Sequence, residues 1–118
     1  MPYRQRLGAH GEDRAADWYR RAGYEVVARN WRCREGELDL VVARPGELVF
    51  CEVKTRSSDR FGVPAEAVTV AKQRRLRTLA ARFLDEHAGD AAGSTRRSIR
   101  FDVVAVTGSA VDVIQAAF

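Results

Sequence analysis

GELDLVVARPGELVFCEVKTR, residues 36–56, is the stretch on which the fold is decided. Glu37 to Ala43 and Leu48 to Thr55 are apolar, β-branched runs, and Arg44-Pro45-Gly46-Glu47 between them carries a Pro-Gly turn signal. A β-hairpin is expected. With the turn centred on Pro45-Gly46, facing residues have numbers summing to 91, so Val42 faces Val49, Leu40 faces Cys51 and Asp39 faces Glu52. Opposed Cβ atoms lie roughly 4.5–5.5 Å apart, a spacing at which two carboxylates repel unless a positive group sits between them. Lys54, two residues beyond Glu52, shares its face because strand side chains repeat every second residue. A trans Pro cannot take the positive φ of the favoured two-residue hairpin turns. A three- or five-residue loop would shift the pairing by one and send Asp39 and Glu52 to different faces.

On either side, the chain alternates helix and strand patterns. Leu7 to Ala22 has helical spacing, with a small-residue face of Gly8, Gly11 and Ala15 suited to close approach to a sheet, and Gly23 as a left-handed stop. Glu12 lies at the edge of that face. Tyr24 to Arg32 reads as a strand with Tyr24, Val26 and Ala28 on one side and Val27, Arg29 and Trp31 on the other. After the hairpin, Arg56 to Gly62 reads as a loop and Pro64 to Val68 as the lead into a second helix, N-capped by Thr69. Leu76, Leu79, Ala80, Phe83 and Leu84 form its apolar face and Gly89 ends it. Ala88 to Arg97 reads as a loop, Ile99 to Val106 as a buried strand and Val111 to Ile114 as a short last one. The order α-β-β-β-α-β(-β) predicts an α/β layer structure with a mixed sheet, as one domain over residues 1–118.

Composition narrows the function classes. Twenty basic against sixteen acidic residues give a formal charge of +4 and favour a polyanionic partner. Eighteen of the twenty are Arg, a bias that the coding of a GC-rich genome explains, with Arg's planar fork for phosphates as the functional alternative. Against it only Lys54 and Lys72 are Lys, and Lys54 is singled out as a position where a compact ammonium is wanted. Cys33 and Cys51, with His10 and His87, make neither a disulfide scaffold nor a zinc set. No apolar run reaches the length of a membrane helix and Met1-Pro2-Tyr3-Arg4 lacks a secretion signal, so a cytoplasmic protein is expected.

The motif Gly36-Glu37-Leu38-Asp39-Leu40-Val41 followed by Phe50-Cys51-Glu52-Val53-Lys54-Thr55-Arg56 resembles the PD-(D/E)XK nuclease signature, with Leu38 in the place of the signature's proline. Gly8 to Trp18, Pro64-Ala65-Glu66-Ala67-Val68, Lys72-Gln73-Arg74-Arg75-Leu76 and Arg100-Phe101-Asp102-Val103-Val104 extend the likeness to the YraN family of small bacterial proteins, related to Holliday junction resolvases. This resemblance implies a restriction-endonuclease-like fold and metal-dependent phosphodiester cleavage. Carried over by residue, Asp39 and Glu52 would bind Mg2+ (or Mn2+), the Val53 carbonyl would add a ligand, and Lys54 would orient or activate water. Glu12 resembles the resolvases' extra acidic residue. Lys72, Gln73, Arg74 and Arg75 would meet phosphate at a helix N-terminus. A homodimer follows by the same analogy.

Plainer roles stand beside these. Glu37 facing Lys54 would be an ordinary cross-strand ion pair, Glu12 a first-turn carboxylate, and Arg74, Arg75 and Arg77 a solvated face. Asp102 beside Arg100 is left out of the catalytic set, with a structural partnership to a backbone group or an Arg as an open alternative, and Trp31 is read as core or as a platform for a base. The expected function is a magnesium-dependent endonuclease acting on DNA rather than RNA, selective for branched or flapped structure because no element offers a base-reading helix. The alternatives are a catalytically inactive nucleic-acid-binding accessory protein on the same fold, and a partner-binding subunit.

Overall fold

The computed structural model describes residues 3–56, 68–87 and 98–118, with side-chain surroundings from residue 9 onward. The order is α1 (Tyr3–Arg21), β1 (Glu25–Cys33), β2 (Gly36–Arg44), β3 (Glu47–Arg56), α2 (Val70–Glu86), β4 (Ser98–Thr107) and β5 (Ala110–Ile114). The strands form one sheet in the order β1-β2-β3-β4-β5, antiparallel except for the parallel β3/β4 pair that the crossover through α2 connects. This is the mixed-sheet α/β architecture expected from the sequence. The loop and helix entry expected over 57–67 and the loop and Gly89 stop over 88–97 lie outside the described residues. No helix among the described residues is long and apolar enough to cross a membrane.

Two cores follow from the alternation of strand side chains. On one face α1 lays Ala15, Ala16 and Tyr19 over Tyr24, Leu40, Val42, Val49, Cys51, Val104 and Val106. On the other, α2 lays Leu76, Leu79, Ala80 and Phe83 over Leu38, Val41, Ala43, Leu48, Phe50, Phe101 and Val103. Thr69 caps α2 as expected, its side chain accepting from the Lys72 N–H at 3.2 Å. Asp102 is fully buried, yet it accepts from the Tyr19 hydroxyl at 2.6 Å, from the Arg100 guanidinium at both oxygens and from the Ala116 N–H at 3.0 Å. It is the structural partner that its place beside Arg100 suggested.

The hairpin keeps the expected register: Arg44 faces Glu47, Val42 faces Val49 and Leu40 faces Cys51. Gly46 takes φ 81°, as the second turn position behind a proline requires in a type II turn, and so the loop stays at two residues. The register ends at Leu40 and Cys51, however, and Asp39 and Glu52 do not form the expected direct pair. Leu38 joins the α2 face while Leu40 joins the α1 face, so β2 is irregular at Asp39.

The β1 faces also differ from the simple alternation. A bulge between Val26 and Ala28 shifts the phase by one residue, so that Ala28 joins the α2 face while Tyr24 and Val26 stay on the α1 face. A second irregularity at Asn30, with φ 52°, restores it, and Trp31 lies opposite Tyr24 and Val26 as expected. Trp31 packs edge-on against Phe83, with ring centroids 5.5 Å apart, and is not a free platform for a base.

The approach of α1 depends on Gly11, where a Cβ would stand 1.8 Å from Thr55 Oγ1. Gly11→Ala gains the better helix propensity of alanine, about 1 kcal/mol, but forces a clash of the kind that costs about 1–3 kcal/mol. Chemical denaturation should show a net loss in Gly11→Ala, and a much smaller one when Thr55→Ala removes the hydroxyl and methyl. Equal losses in both backgrounds would exclude this contact as the cause.

Candidate functional site

Where the β2/β3 ladder ends, its backbone groups turn to side chains. In the hairpin's alternation the next hydrogen-bonded pair after Leu40 and Cys51 would be Leu38 with Val53. The Val53 N–H instead donates to Asp39 Oδ2 at 2.9 Å. Asp39 is thereby held between the two strands.

Glu52 is buried, on the same face as Phe50, and its Oε1 accepts from Lys54 Nζ at 3.2 Å and from Lys72 Nζ at 2.8 Å. Lys54 comes from the same strand; Lys72 reaches in from the first turn of α2. The cross-strand ion pair considered for Glu37 and Lys54 is not made: Glu37 binds Arg32, its partner on β1, at 3.0 Å. From α1, Glu12 is held by the Asn30 side-chain amide at 2.9 Å and lies 3.8 Å from Arg29.

Of the four residues expected to meet phosphate, Lys72 turns inward to Glu52 and Gln73 donates to the Val68 carbonyl at 3.2 Å. Arg74 and Arg75 are exposed.

Electrostatics set Asp39 apart. Burial, then the nearby charge of Glu52, push its carboxyl up from 3.8 to about 7, against the Val53 N–H that favours the anion; Glu12 and Glu37 add smaller pushes in the same direction. Burial first, and then the neighbouring Lys72, pull the Lys54 ammonium below its ordinary value, while Glu52 opposes them. Lys72 moves up although burial works against its charged form, because it donates to Glu52. The arrangement has spare negative charge at Asp39 and hard oxygen donors around it, the chemistry that a divalent cation such as magnesium takes. Among the described residues no three Asp, Glu, His or Cys side chains close into a cage. Any cation here would therefore rely on Asp39, Glu52, backbone oxygen and water.

Asn30 was not picked out from the sequence. It stands opposite Asp39, since Arg29 pairs with Leu40 and Trp31 with Leu38, and it has φ 52°. An asparagine in mid-strand, poor in β propensity and tolerant of left-handed φ, was the available signal.

The fold and this site define a restriction-endonuclease-like α/β domain, with an acid on the second strand and Glu-x-Lys on the third. The family model described as "Uncharacterised protein family UPF0102" matches residues 11–106, a span that holds Glu12, Asp39, Glu52, Lys54 and Lys72. A UPF0102 protein from Beutenbergia cavernae is 58% identical over 90% of this chain and 86% of its own length. One from Nocardia farcinica is 53% identical over 87% and 77%, and one from Rhodococcus jostii 51% over 90% and 86%. The chain belongs to the UPF0102 family.

Asp39 makes stability depend on pH with a definite sign. Its folded-state pKa lies above the unfolded one, so the folded state holds a proton that the unfolded state has released, and stability falls as pH rises from about 4 to about 7. Asp39→Asn keeps an oxygen for the Val53 N–H and removes the charge. In metal-free buffer it should be more stable than the wild type above pH 7, by on the order of 2 kcal/mol, with the gap closing near pH 4. Thermal melts across this range check it; a gap independent of pH would show that the charge is not the cause.

Proposed function

We propose that this protein is a metal-dependent endonuclease of the cytoplasm that hydrolyses phosphodiester bonds in DNA, selecting branched or flapped structures by shape. The observation that carries the reading is the end of the β2/β3 ladder. There Asp39 is held on the Val53 amide under the field of Glu52, and Lys54 lies 3.2 Å from that glutamate.

In this reading Asp39, Glu52 and the Val53 carbonyl would hold Mg2+ or Mn2+. The ion would supply charge neutralisation at the phosphate and a more acidic water. The protein's own part is positioning. Glu52 orients Lys54, whose ammonium, pulled down by burial, more readily becomes the neutral amine that accepts a proton from the attacking water. That water's oxygen bonds to phosphorus as the bond to the leaving oxygen breaks. Glu12, anchored by Asn30, adds negative charge beside Asp39. The exposed Arg74 and Arg75 at the start of α2, with the net charge of +4, suit a phosphate backbone and carry no base-reading geometry.

A second reading, a nucleic-acid-binding protein without turnover, is favoured by one feature: both lysines rest on Glu52, which is thus neutralised with no added ion. Nicking assays on branched, flapped and linear DNA separate the two. Under the first reading, magnesium supports nicking that a chelator stops, and Asp39→Ala and Lys54→Ala lower it by at least about 100-fold. Under the second, no substrate is cut and Asp39→Ala binds DNA as well as the wild type or better. Wild-type-level cutting by Lys54→Ala would exclude this site as the source.

A further inference from the structure

Of twenty basic residues only two are lysines, and in the chain they stand on different elements, Lys54 on β3 and Lys72 on α2. Both nevertheless end on one oxygen, Glu52 Oε1. Elsewhere the chain meets its carboxylates with arginine: Arg82 on Glu35, Arg32 on Glu37, and Arg100 on Glu47 and Asp102.

The exchange of side chains has a chemical consequence. A guanidinium fork takes both oxygens of a carboxylate, whereas an ammonium acts as a point charge on one. Among the described residues both ion pairs of Glu52 are made at Oε1, which neutralises the carboxylate without a fork across its two oxygens. The two differ in how they are tied. Lys54 is fixed by its backbone two residues along the same strand, while Lys72 spans from a helix packed on the sheet and reaches Glu52 with its flexible stem. Arg74 and Arg75, its neighbours on α2, stay exposed.

We propose that Lys72 is the resident counter-cation of Glu52: it neutralises the carboxylate while no divalent ion is present and withdraws when one binds across Asp39 and Glu52. A doubly charged ion on Oε2 would lie within a few ångströms of both ammoniums and repel them. Lys54 is held in the β3/β4 ladder, and Lys72, whose neighbours Arg74 and Arg75 on α2 already reach solvent, is the one that swings out. This rests on the reading of the site as a cation site.

The small number of lysines makes the exchange measurable without any assay of cleavage. A brief pulse of acetic anhydride followed by peptide mass spectrometry reads Lys54 and Lys72 separately. Mn2+ should raise the labelling rate of Lys72 about tenfold, change that of Lys54 far less, and do neither in Asp39→Asn. In parallel, calorimetric titration with Mn2+ should find Lys72→Met and Lys72→Gln, each checked for folding by circular dichroism, binding the ion about tenfold more tightly than the wild type, since the competitor is gone. If the wild type binds Mn2+ while Lys72 labelling is unchanged and the variants bind equally or more weakly, the proposal is overturned and the cation site stands. If neither the wild type nor the variants bind Mn2+, the cation site falls and the proposal with it; the isotherms distinguish the two failures.

Discussion

A backbone amide that leaves its strand partner for a carboxylate governs this end of the molecule. Had β2 and β3 continued their ladder, the Val53 N–H would have gone to a main-chain carbonyl, and Asp39 would have been one more strand residue with its charge on a face. With the amide donated to Asp39 Oδ2, the pairing stops and the carboxylate is drawn between the strands. One hydrogen bond to an anion is too little to hold it fully ionised against burial and the field of Glu52, which is why its pKa rises to about 7. The protein thus keeps an acid whose charge its own groups leave only partly balanced.

Irregular backbone gathers around the same place. The bulge in β1, the left-handed Asn30 and the break in β2 at Asp39 lie on two adjacent strands, while the registers of β3 with β4 and of β4 with β5 run without a shift. Such departures raise the energy locally and persist where surrounding structure fixes them. Here both layers do so. Gly11 lets α1 close onto Thr55, which sets Glu12 near the opening from one side; the Thr69 cap fixes the first turn of α2, which delivers Lys72 from the other.

What the sequence made legible, and what it did not, follows the same division. The helices, the succession of elements along the chain and the hairpin register were readable because local chemistry decides them: Pro45-Gly46 admits a two-residue type II turn, and Thr69 satisfies the Lys72 amide. The motif also led to Asp39, Glu52 and Lys54 as a group. The direct facing of Asp39 and Glu52 was not borne out because a side chain competing for a main-chain amide is invisible to a register rule. Ala28 was misplaced because the bulge before it inverts the alternation, whereas Trp31 lies opposite Tyr24 and Val26 as read, the phase being restored at Asn30. Lys72 was read from its place at a helix N-terminus, which suggested an anion; the partner it finds is an anion of the protein itself, brought there by tertiary packing.

The fully buried Asp102 shows what a carboxylate looks like in this fold when its role is to hold the structure. Arg100 takes both of its oxygens, Tyr19 and the Ala116 amide complete the set, and the C-terminal turn is tied to β4 through it. Burying a charge is costly unless every lone pair is answered, and there they are. Glu52 is nearly as buried, at 8% exposure, but among the described residues its ion pairs are two ammoniums on Oε1, which bind without a fixed fork. The same chain therefore treats two buried carboxylates in different ways, using the rigid arginine clamp for Asp102 and a pair of adaptable lysines for Glu52. Core stability alone gives no reason for that difference, whereas the proposed exchange of Lys72 for a divalent cation would.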